Sequence, residues 1–224
     1  MSYRRTERTE ARLASNRERI LGAARTLVAK GGFSEAPVVA IATVARVATG
    51  TVYTYFPSKN HLLAELIRTI CDREVGIAAQ IAESGRSAGD RLAGAIRTFA
   101  SRAILGRRLA YAVIVEPVDP EVDRVRLQYR RALARVLENI LLDGIARGEF
   151  PRQRHDVEAD AACLVGACLE GLVARLSPDA FPGEAKDQDR IEMIVAFCLR
   201  AVSGDGATAV TPERATPAML RQRL

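Results

Sequence analysis

Residues 37–56 read PVVAIATVARVATGTVYTYF. The apolar residues of the first half recur at the spacing of a helix, which predicts a helix over 37–45 with Pro37 in its first turn. The second half predicts another short helix over 49–55. Two short helices joined by about three residues have the dimensions of a helix-turn-helix.

The second helix of this pair has two chemically different faces. On a wheel that advances by about 100° per residue, Val52 and Phe56 share the side that must face the core. Gly50, Thr51 and Thr54 lie roughly opposite. A glycine lets the backbone approach a phosphate closely, and threonine hydroxyls donate hydrogen bonds to phosphates or base edges. This face predicts contact with duplex DNA, although a small solvated helix would show the same residues.

The helical spacing continues along the rest of the chain, and no convincing strand pattern interrupts it. The sequence therefore predicts an all-α protein. The predicted helices span 15–30, 37–45, 49–55, 59–82, 90–105, 107–115, 121–147, 157–176 and 187–203. We expect residues 1–14 to be a basic, flexible arm and residues 204–224 to be a disordered tail.

The positive charge is concentrated near the N-terminus. The 224 residues hold 33 Lys+Arg and 27 Asp+Glu, a net charge of +6. Residues 1–60 hold ten basic and four acidic side chains, so the other 23 basic and 23 acidic side chains balance each other. A positive module on a neutral body is typical of proteins that bind polyanions. A basic proteome with a solvated tail would give the same balance.

The composition excludes several classes of protein. With 48% hydrophobic and 27% charged residues the chain is typical of a globular domain and not of a disordered one. The four unevenly spaced cysteines exclude a disulfide-dense mini-protein. We find no export signal and no apolar stretch long enough to cross a bilayer, so we expect a cytoplasmic protein with no membrane partner.

The residue patterns of metal, nucleotide and catalytic sites are missing from the sequence. The two histidines, His61 and His155, lie far apart, and neither a paired Cys-x-x-Cys nor a P-loop pattern occurs. We therefore expect no metal, no cofactor and no enzymatic activity. We interpret the cysteines as buried small hydrophobes rather than disulfides, with a redox switch between two of them as the alternative. They are Cys71, Cys163, Cys168 and Cys198, and the switch would join Cys163 to Cys168.

A set of residues within 16–65 resembles the N-terminal domain of TetR-type transcriptional regulators. The matching residues are Ile20-Leu21-Gly22-Ala23-Ala24, Gly32-Phe33, Ile41-Ala42-Thr43-Val44-Ala45, Gly50-Thr51-Val52-Tyr53-Thr54-Tyr55-Phe56, Lys59 and Leu62-Leu63. The resemblance implies an N-terminal helix-turn-helix DNA-binding domain over 15–58 and a C-terminal helical ligand-binding and dimerisation domain over 59–203. It also implies a homodimeric repressor whose third helix enters the major groove of a palindromic operator.

The DNA contacts follow from the same resemblance. It implies contacts from Thr49, Gly50, Thr51, Tyr53, Thr54, Tyr55 and Lys59, to which we add the basic side chains Arg17 and Arg46.

The sequence departs from the family pattern at three places. Arg46 stands where the turn usually has glycine, and a left-handed backbone there would cost about 1–2 kcal/mol. Either the turn has another shape, or Arg46 accepts the strain and gains a phosphate contact. Ala48 replaces the usual serine, so the cap of the third helix is lost or passes to Thr49. Ala36-Pro37 replaces the threonine–serine pair that the family usually has before its second helix, so one phosphate contact that is usual in the family is missing.

A dimer would place two recognition helices about 34–36 Å apart, on successive major-groove faces. Helix 157–176 is apolar almost all round and so needs burial on two sides, although the central helix of a monomer would look the same. The predicted interface consists of Leu164, Ala167, Gly171, Leu172, Ile191, Ile194, Val195, Cys198 and Val202.

The resemblance further implies a small-molecule pocket in the C-terminal domain. The candidate lining residues are Phe99, Arg102, Tyr111, Ile114, Glu116, Tyr129, Cys168 and Glu170. Glu170 interrupts an apolar helix, and a buried carboxylate needs a partner such as Arg102 or a cationic ligand. An exposed rim position or a structural ion pair are the alternatives. Ligand binding would shift the dimer to a state that no longer fits the operator.

Two other functions remain compatible with the sequence. One is an all-α small-molecule-binding protein or enzyme that does not use its helix-turn-helix. The other is a TetR-type activator.

Overall fold

The structure is a computed structural model that describes residues 7–151, 156–180 and 183–203. Within these ranges every regular element is helical, which confirms the predicted all-α class. The α-helices are α1 (Glu7–Gly31), α2 (Val38–Ala45), α3 (Thr49–Tyr55), α4 (Lys59–Ala82), α5 (Ala88–Leu105), α6 (Arg107–Ile114), α7 (Pro120–Ala146), α8 (Val157–Leu176) and α9 (Glu184–Ser203). A 3-10 turn, Phe33–Glu35, joins α1 to α2.

The predicted bounds of α3, α4 and α8 coincide with the observed ones. Side chains with acceptor oxygens fix several of the helix starts. Ser58 accepts a hydrogen bond from the His61 backbone N–H at 3.0 Å and caps α4. Pro37 precedes α2 instead of opening it, and its carbonyl accepts the first helical hydrogen bond, from Ile41.

α1 begins at Glu7, eight residues before the predicted start. The predicted flexible arm is therefore wrong for residues 7–14. The helix extends through residues 7–14 because they are mostly Glu, Arg, Ala and Leu, which favour the helix. Residues 1–6 of the predicted arm and the predicted tail, 204–224, lie outside the described residues.

Helices α1, α2 and α3 form a small N-terminal domain, called the head below. Ile20 and Val28 of α1, Ile41 of α2 and Phe56 after α3 are each no more than 1% exposed. Burying a side chain of this size contributes about 1.5–3 kcal/mol. This shared core fixes the direction in which α3 presents its other face.

Helices α4 to α9 form the larger domain, called the body. α4 packs along α7, α7 packs along α8, and α9 packs on both α5 and α8. The core contains Leu62 and Leu66 of α4, Leu141 of α7 and Leu172 of α8, each at most 2% exposed. α1 packs on α6 as well as on α4, so two helices of the body support the head.

No single helix in the described residues is long and apolar enough to cross a membrane. The short helices α2 and α3 pass that test only as a pair, by length and composition, and the pair is bent by 99° at its turn.

Candidate nucleic-acid interface and ligand cavity

The turn between α2 and α3 depends on Arg46. Its backbone is left-handed, with φ 53° and ψ 50°, so Arg46 accepts the strain and the turn keeps the shape that usually calls for glycine. Arg19 of α1 stabilises this end of α2, donating from Nη2 to the carbonyl of Ala45 at 2.5 Å and to that of Arg46 at 3.3 Å. The sequence analysis missed Arg19. No local sequence pattern links the two residues, because Arg19 lies 26 residues before Ala45.

α3 presents the face that the helical wheel predicts. Val52 and Phe56 are buried at 1% exposure, whereas Gly50, Tyr53 and Thr54 are exposed. Thr51 is half-buried rather than fully outward. A methyl group at Gly50 would meet no atom within 4 Å. The outer surface of α3 is therefore open enough for another molecule to approach its backbone.

The first turn of α3 has no side-chain cap. Ala48 occupies the capping position, and Thr49 does not replace the missing serine hydroxyl. Backbone N–H groups at a helix start that lacks a side-chain cap are suited to bind an anion such as a phosphate.

Other predicted contact residues have partners within the chain. Arg17 forms an ion pair with Glu65 of α4, and its guanidinium lies 5.4 Å from the centre of the Phe56 ring. Lys59 donates from Nζ to the carbonyl of Phe33 at 3.3 Å. The hydroxyl of the half-buried Tyr55 accepts from Asn16 Nδ2 at 3.3 Å. Arg46, in contrast, is exposed and has no ion-pair partner among the described residues.

The body contains a cavity of about 260 Å³ between α4, α5, α6 and α7, with Arg25 of α1 at its edge. Four of the eight predicted pocket residues line it: Phe99, Arg102, Ile114 and Tyr129. The sequence analysis missed the remaining lining residues, which are Arg25, Ile70, Cys71, Arg73, Glu74, Ala103, Leu105, Gly106, Leu109, Ala110 and Val113.

Glu170 does not line this cavity. It lies on the exposed outer face of α8, beside a groove that also contains Arg130, Arg131 and Arg135 of α7. The expectation of a buried carboxylate is corrected, because the apolar residues of α8 leave one outward face on which a charge stays solvated. Arg102 instead forms two hydrogen bonds with Glu74, at 2.8 and 2.6 Å.

Cys168 and Tyr111 are also placed elsewhere. Cys168 is buried in the core beside Cys198, and burial raises the pKa of its thiol to about 12. Tyr111 is half-buried on α6, with the guanidinium of Arg108 5.7 Å from the centre of its ring. Neither side chain lines the cavity, because Cys168 faces Cys198 and Tyr111 faces Arg108.

Glu116, the remaining predicted pocket residue, joins the head to the body. Its carboxylate accepts from the backbone N–H of Phe33 at 3.0 Å and forms an ion pair with Arg108. Arg108 also donates to the carbonyl of Gly31 at 2.6 Å. Gly32 fits between these partners with φ 82°, and a methyl group there would lie 2.0 Å from Arg108 Nη2. We call Arg108, Glu116 and the Gly31–Phe33 backbone the head–body clamp.

The predicted dimer residues lie mostly inside one chain. Seven of the nine are at most 4% exposed and so have no surface left to bury against a second copy: Leu164, Leu172, Ile191, Ile194, Val195, Cys198 and Val202. Ala167 and Gly171 are half-buried. A methyl group at Gly171 would lie 2.9 Å from Ile194, so this glycine lets α8 and α9 approach each other within one chain. The expectation is corrected at these positions, because the apolar stripe of α9 packs on α5 and α8.

The outer faces of α8 and α9 carry a different set of apolar residues. On α9, Met193 and Phe197 are 48% and 53% exposed and lie one turn apart. On α8, Cys163 and Gly166 are exposed, and because both are small residues the surface there projects little beyond the helix backbone. Large exposed apolar side chains next to small ones are typical of an interaction surface.

All four cysteines are free thiols. Cys71, Cys168 and Cys198 are buried, as predicted, and burial raises the pKa values of Cys71 and Cys198 to about 12 and 11. Cys163 is exposed, which corrects its expected burial. Within the described residues, no cluster of three or more His, Cys, Asp or Glu side chains is arranged to hold a metal ion.

Residues 20–66 match the family model described as bacterial regulatory proteins, tetR family. Over 51 residues the chain is 49% identical to the HTH-type transcriptional repressor KstR of Rhodococcus jostii (strain RHA1), a match that covers 23% of this chain and 24% of KstR. This chain therefore spans about a quarter of the length of that relative.

A longer match involves the HTH-type transcriptional repressor KstR2 of Mycolicibacterium smegmatis (strain ATCC 700084 / mc(2)155). It is 28% identical over 158 residues, which cover 68% of this chain and 74% of KstR2. The transcriptional regulator FadR from Bacillus subtilis, solved in complex with stearoyl-CoA, has a TM-score of 0.68 and 24% identity, over 80% of this chain and 97% of that chain. At this identity the likeness concerns the fold alone.

Proposed function

We propose that this chain, whose residues 20–66 match the family model of the tetR bacterial regulatory proteins, is a dimeric, ligand-responsive repressor that binds an operator in double-stranded DNA. The observation that supports DNA binding most directly is the outer face of α3. Gly50, Tyr53 and Thr54 are exposed there, while Val52 and Phe56 anchor the helix in the head.

This face has the chemistry of a groove-reading surface. Tyr53 and Thr54 offer hydroxyls to phosphates or base edges, and a threonine methyl suits the methyl group of thymine. The exposed guanidinium of Arg46 lies at the turn that leads into α3, where it reaches a phosphate on the flank of the groove. Three further residues support this surface through their internal partners: Tyr55, Lys59 and Arg17. When the duplex binds, Lys59 and Arg17 exchange those partners for phosphates.

The dimer follows from the surface that α8 and α9 leave uncovered. Met193 and Phe197 of one copy pack on the low surface at Cys163 and Gly166 of the other. Covering this surface holds two heads at a fixed separation, and a palindromic operator with half-sites about 34–36 Å apart matches that symmetry.

The ligand response rests on α6. Its side chains line the cavity at Leu109, Ala110 and Val113, and Arg108 of the same helix holds the head–body clamp. A ligand that moves α6 therefore changes the position of the head. Couplings between two sites are typically about 1–3 kcal/mol, or roughly 5- to 150-fold in affinity.

The experiment begins with the selection of operators from random duplexes by the full chain, followed by fluorescence anisotropy of the enriched sequence over a series of salt concentrations. We expect a palindromic site and an affinity that falls steeply with salt. Tyr53→Ala weakens binding by about tenfold or more through the loss of a base or phosphate contact. Leu142→Ala, a change at a similarly exposed residue of α7, leaves binding unchanged.

The proposal would be overturned if no DNA sequence became enriched. It would also be overturned if the Tyr53→Ala variant bound the operator as tightly as the parent. A reporter gene behind the selected operator then distinguishes repression from activation by the sign of its change when the protein is removed.

A further inference from the structure

Tyr129 is a buried polar side chain without a hydrogen-bond partner among the described residues. It is 9% exposed, and it lines the floor of the cavity together with Cys71, Ala103 and Val113, which are also buried. Burial raises the pKa of the phenol well above its usual value, so the hydroxyl stays protonated and is available as a donor. The hydroxyl is not fully enclosed, so it can donate a hydrogen bond to a molecule bound beside it.

The walls of the cavity are apolar. Ile70 of α4, Phe99 of α5 and Leu109, Ala110 and Ile114 of α6 line it. The one ion pair on the wall, between Glu74 and Arg102, is satisfied by its own two hydrogen bonds. The body of a molecule bound here must therefore be apolar and compact, because the free volume is about 260 Å³.

The rim of the cavity is positively charged. Arg25 of α1 and Arg73 of α4 line the cavity and are exposed, and neither forms an ion pair within the described residues. Since Glu74 and Arg102 balance each other, the lining keeps an excess of two positive charges. We call Arg25 and Arg73 the rim arginines.

We propose that the cavity binds a compact amphipathic organic anion. Its apolar body lies against α5 and α6, a polar atom accepts the hydrogen bond of Tyr129, and its anionic group lies between the rim arginines. A carboxylate of the ligand itself and the phosphates of an attached carrier share this chemistry, since both offer anionic oxygens to arginine.

This inference rests on the proposed function for its regulatory consequence. Arg25 belongs to the head and Arg73 to the body. An anion that contacts both arginines restrains α1 relative to α4, next to the helix that holds the head–body clamp. Ligand charge and head position are therefore coupled.

Three probes with the same apolar body test the proposal: 6-phenylhexanoate, its neutral amide and its coenzyme A thioester. Binding to the full chain is measured by isothermal titration calorimetry without DNA. We expect the carboxylate, the thioester or both to bind at least tenfold more tightly than the amide. Preference for the carboxylate identifies the ligand's own acid group as the anion, and preference for the thioester identifies the phosphates.

Variants then test the two ends of the site. For the probe that binds best, the double variant Arg25→Ala/Arg73→Ala weakens affinity at least tenfold, and Tyr129→Phe weakens it severalfold. Arg135→Ala, which removes an exposed arginine of α7 outside the cavity, leaves it unchanged. Circular dichroism of each variant excludes unfolding as the cause.

Equal binding of amide and anions, or no binding of any probe, would overturn the proposal. Unchanged affinity in the double variant would do the same. Because these titrations contain no DNA, their failure is distinct from a failure to find an operator, and anion binding without operator binding would reject only the regulatory consequence.

Discussion

Arg46 is the one non-glycine residue with a positive φ in the described part of the chain. A side chain in this conformation costs about 1–2 kcal/mol relative to the ordinary helical region. Glycine would avoid this cost, but it would also remove the exposed guanidinium. Its exposed position at the turn before α3 points to a phosphate contact as the compensation.

Arg46→Gly separates these two effects. We expect the free energy of unfolding to rise by about 1 kcal/mol, because the strain is relieved and part of the gain is lost to the greater freedom of glycine in the unfolded chain. We expect operator affinity to fall, with the slope of log K against log salt reduced by about one. Urea unfolding and anisotropy titrations measure the two quantities. A variant that is more stable and binds DNA with the parent's salt slope would show that Arg46 makes no phosphate contact.

Gly50 offers a complementary test at the second position of α3. Nothing lies within 4 Å of an added methyl group, so Gly50→Ala leaves the fold intact and stabilises the helix by up to about 1 kcal/mol. Operator binding nevertheless weakens, because the methyl group occupies the space into which the duplex must come. Gly89→Ala is the matched control, since Gly89 is also the second residue of its helix and also faces open space. Equal DNA affinity of both variants and the parent would contradict close backbone contact at Gly50.

At the scale of elements, α6 connects three parts of the molecule through neighbouring residues. Arg107 reaches toward α8 and α9, where it donates to the carbonyl of Arg175 at 2.8 Å and to Asp187 at 2.7 Å. Arg108 reaches the head through the clamp, and Leu109 faces the cavity. Arg107 and Arg108 are the first two residues of α6, so the N-terminal turn of this helix is tied both to α8 and α9 and to the head, next to the cavity.

Asp187 anchors one end of this connection. Burial raises the pKa of this carboxylate, but the hydrogen bonds and charges of Arg175 and Arg107 outweigh that effect, so its pKa is lowered. The stabilisation is therefore present above the unfolded pKa of about 3.9 and disappears as the pH falls through the lower folded value.

We expect Asp187→Asn to reduce the free energy of unfolding at pH 7 by about 1–3 kcal/mol, because two arginines lose their charged acceptor. The difference between variant and parent narrows as the pH falls below about 4. Urea denaturation at a series of pH values measures it. Asp189→Asn, on the exposed side of the same helix, serves as the control and is near-neutral throughout. A difference that is constant from pH 7 to pH 3 would reject the charge-based account.

At the scale of the whole molecule, the sequence predicts the number and order of the helices in the described ranges well because local spacing indicates them, although α1 begins eight residues before its predicted start. The bounds of α4, for example, follow from the Ser58 cap and from Leu62, Leu66 and their neighbours. Its predictions are weaker where a side chain's partner comes from a distant helix. Glu116 was expected in the pocket but holds the head, and Ile194 was expected between copies but packs against Gly171. Helical spacing identifies the apolar face of a helix and leaves its partner undetermined.

The dimer predicted for the whole molecule depends on the outer face of α9. Phe197→Arg places a charge in the centre of that face, where both copies would meet, so we expect a shift from dimer to monomer in size-exclusion chromatography with light scattering. Operator affinity falls with it, because one head alone contacts one half-site. Leu127→Arg, at an equally open apolar position of α7, keeps the dimer. A parent protein that is monomeric at micromolar concentration would contradict the prediction, as would a Phe197→Arg variant that stays dimeric.

The contrast among the four cysteines has a practical consequence for following such a protein in solution. Cys71, Cys168 and Cys198 are enclosed and keep their thiols protonated, while Cys163 alone is open to reagents. In the proposed dimer Cys163 lies beneath Met193 and Phe197 of the other copy, so a maleimide reagent labels this position in the single chain and is excluded from it on pairing. The rate of labelling would therefore report pairing, and would show whether an effector or a duplex rearranges that contact.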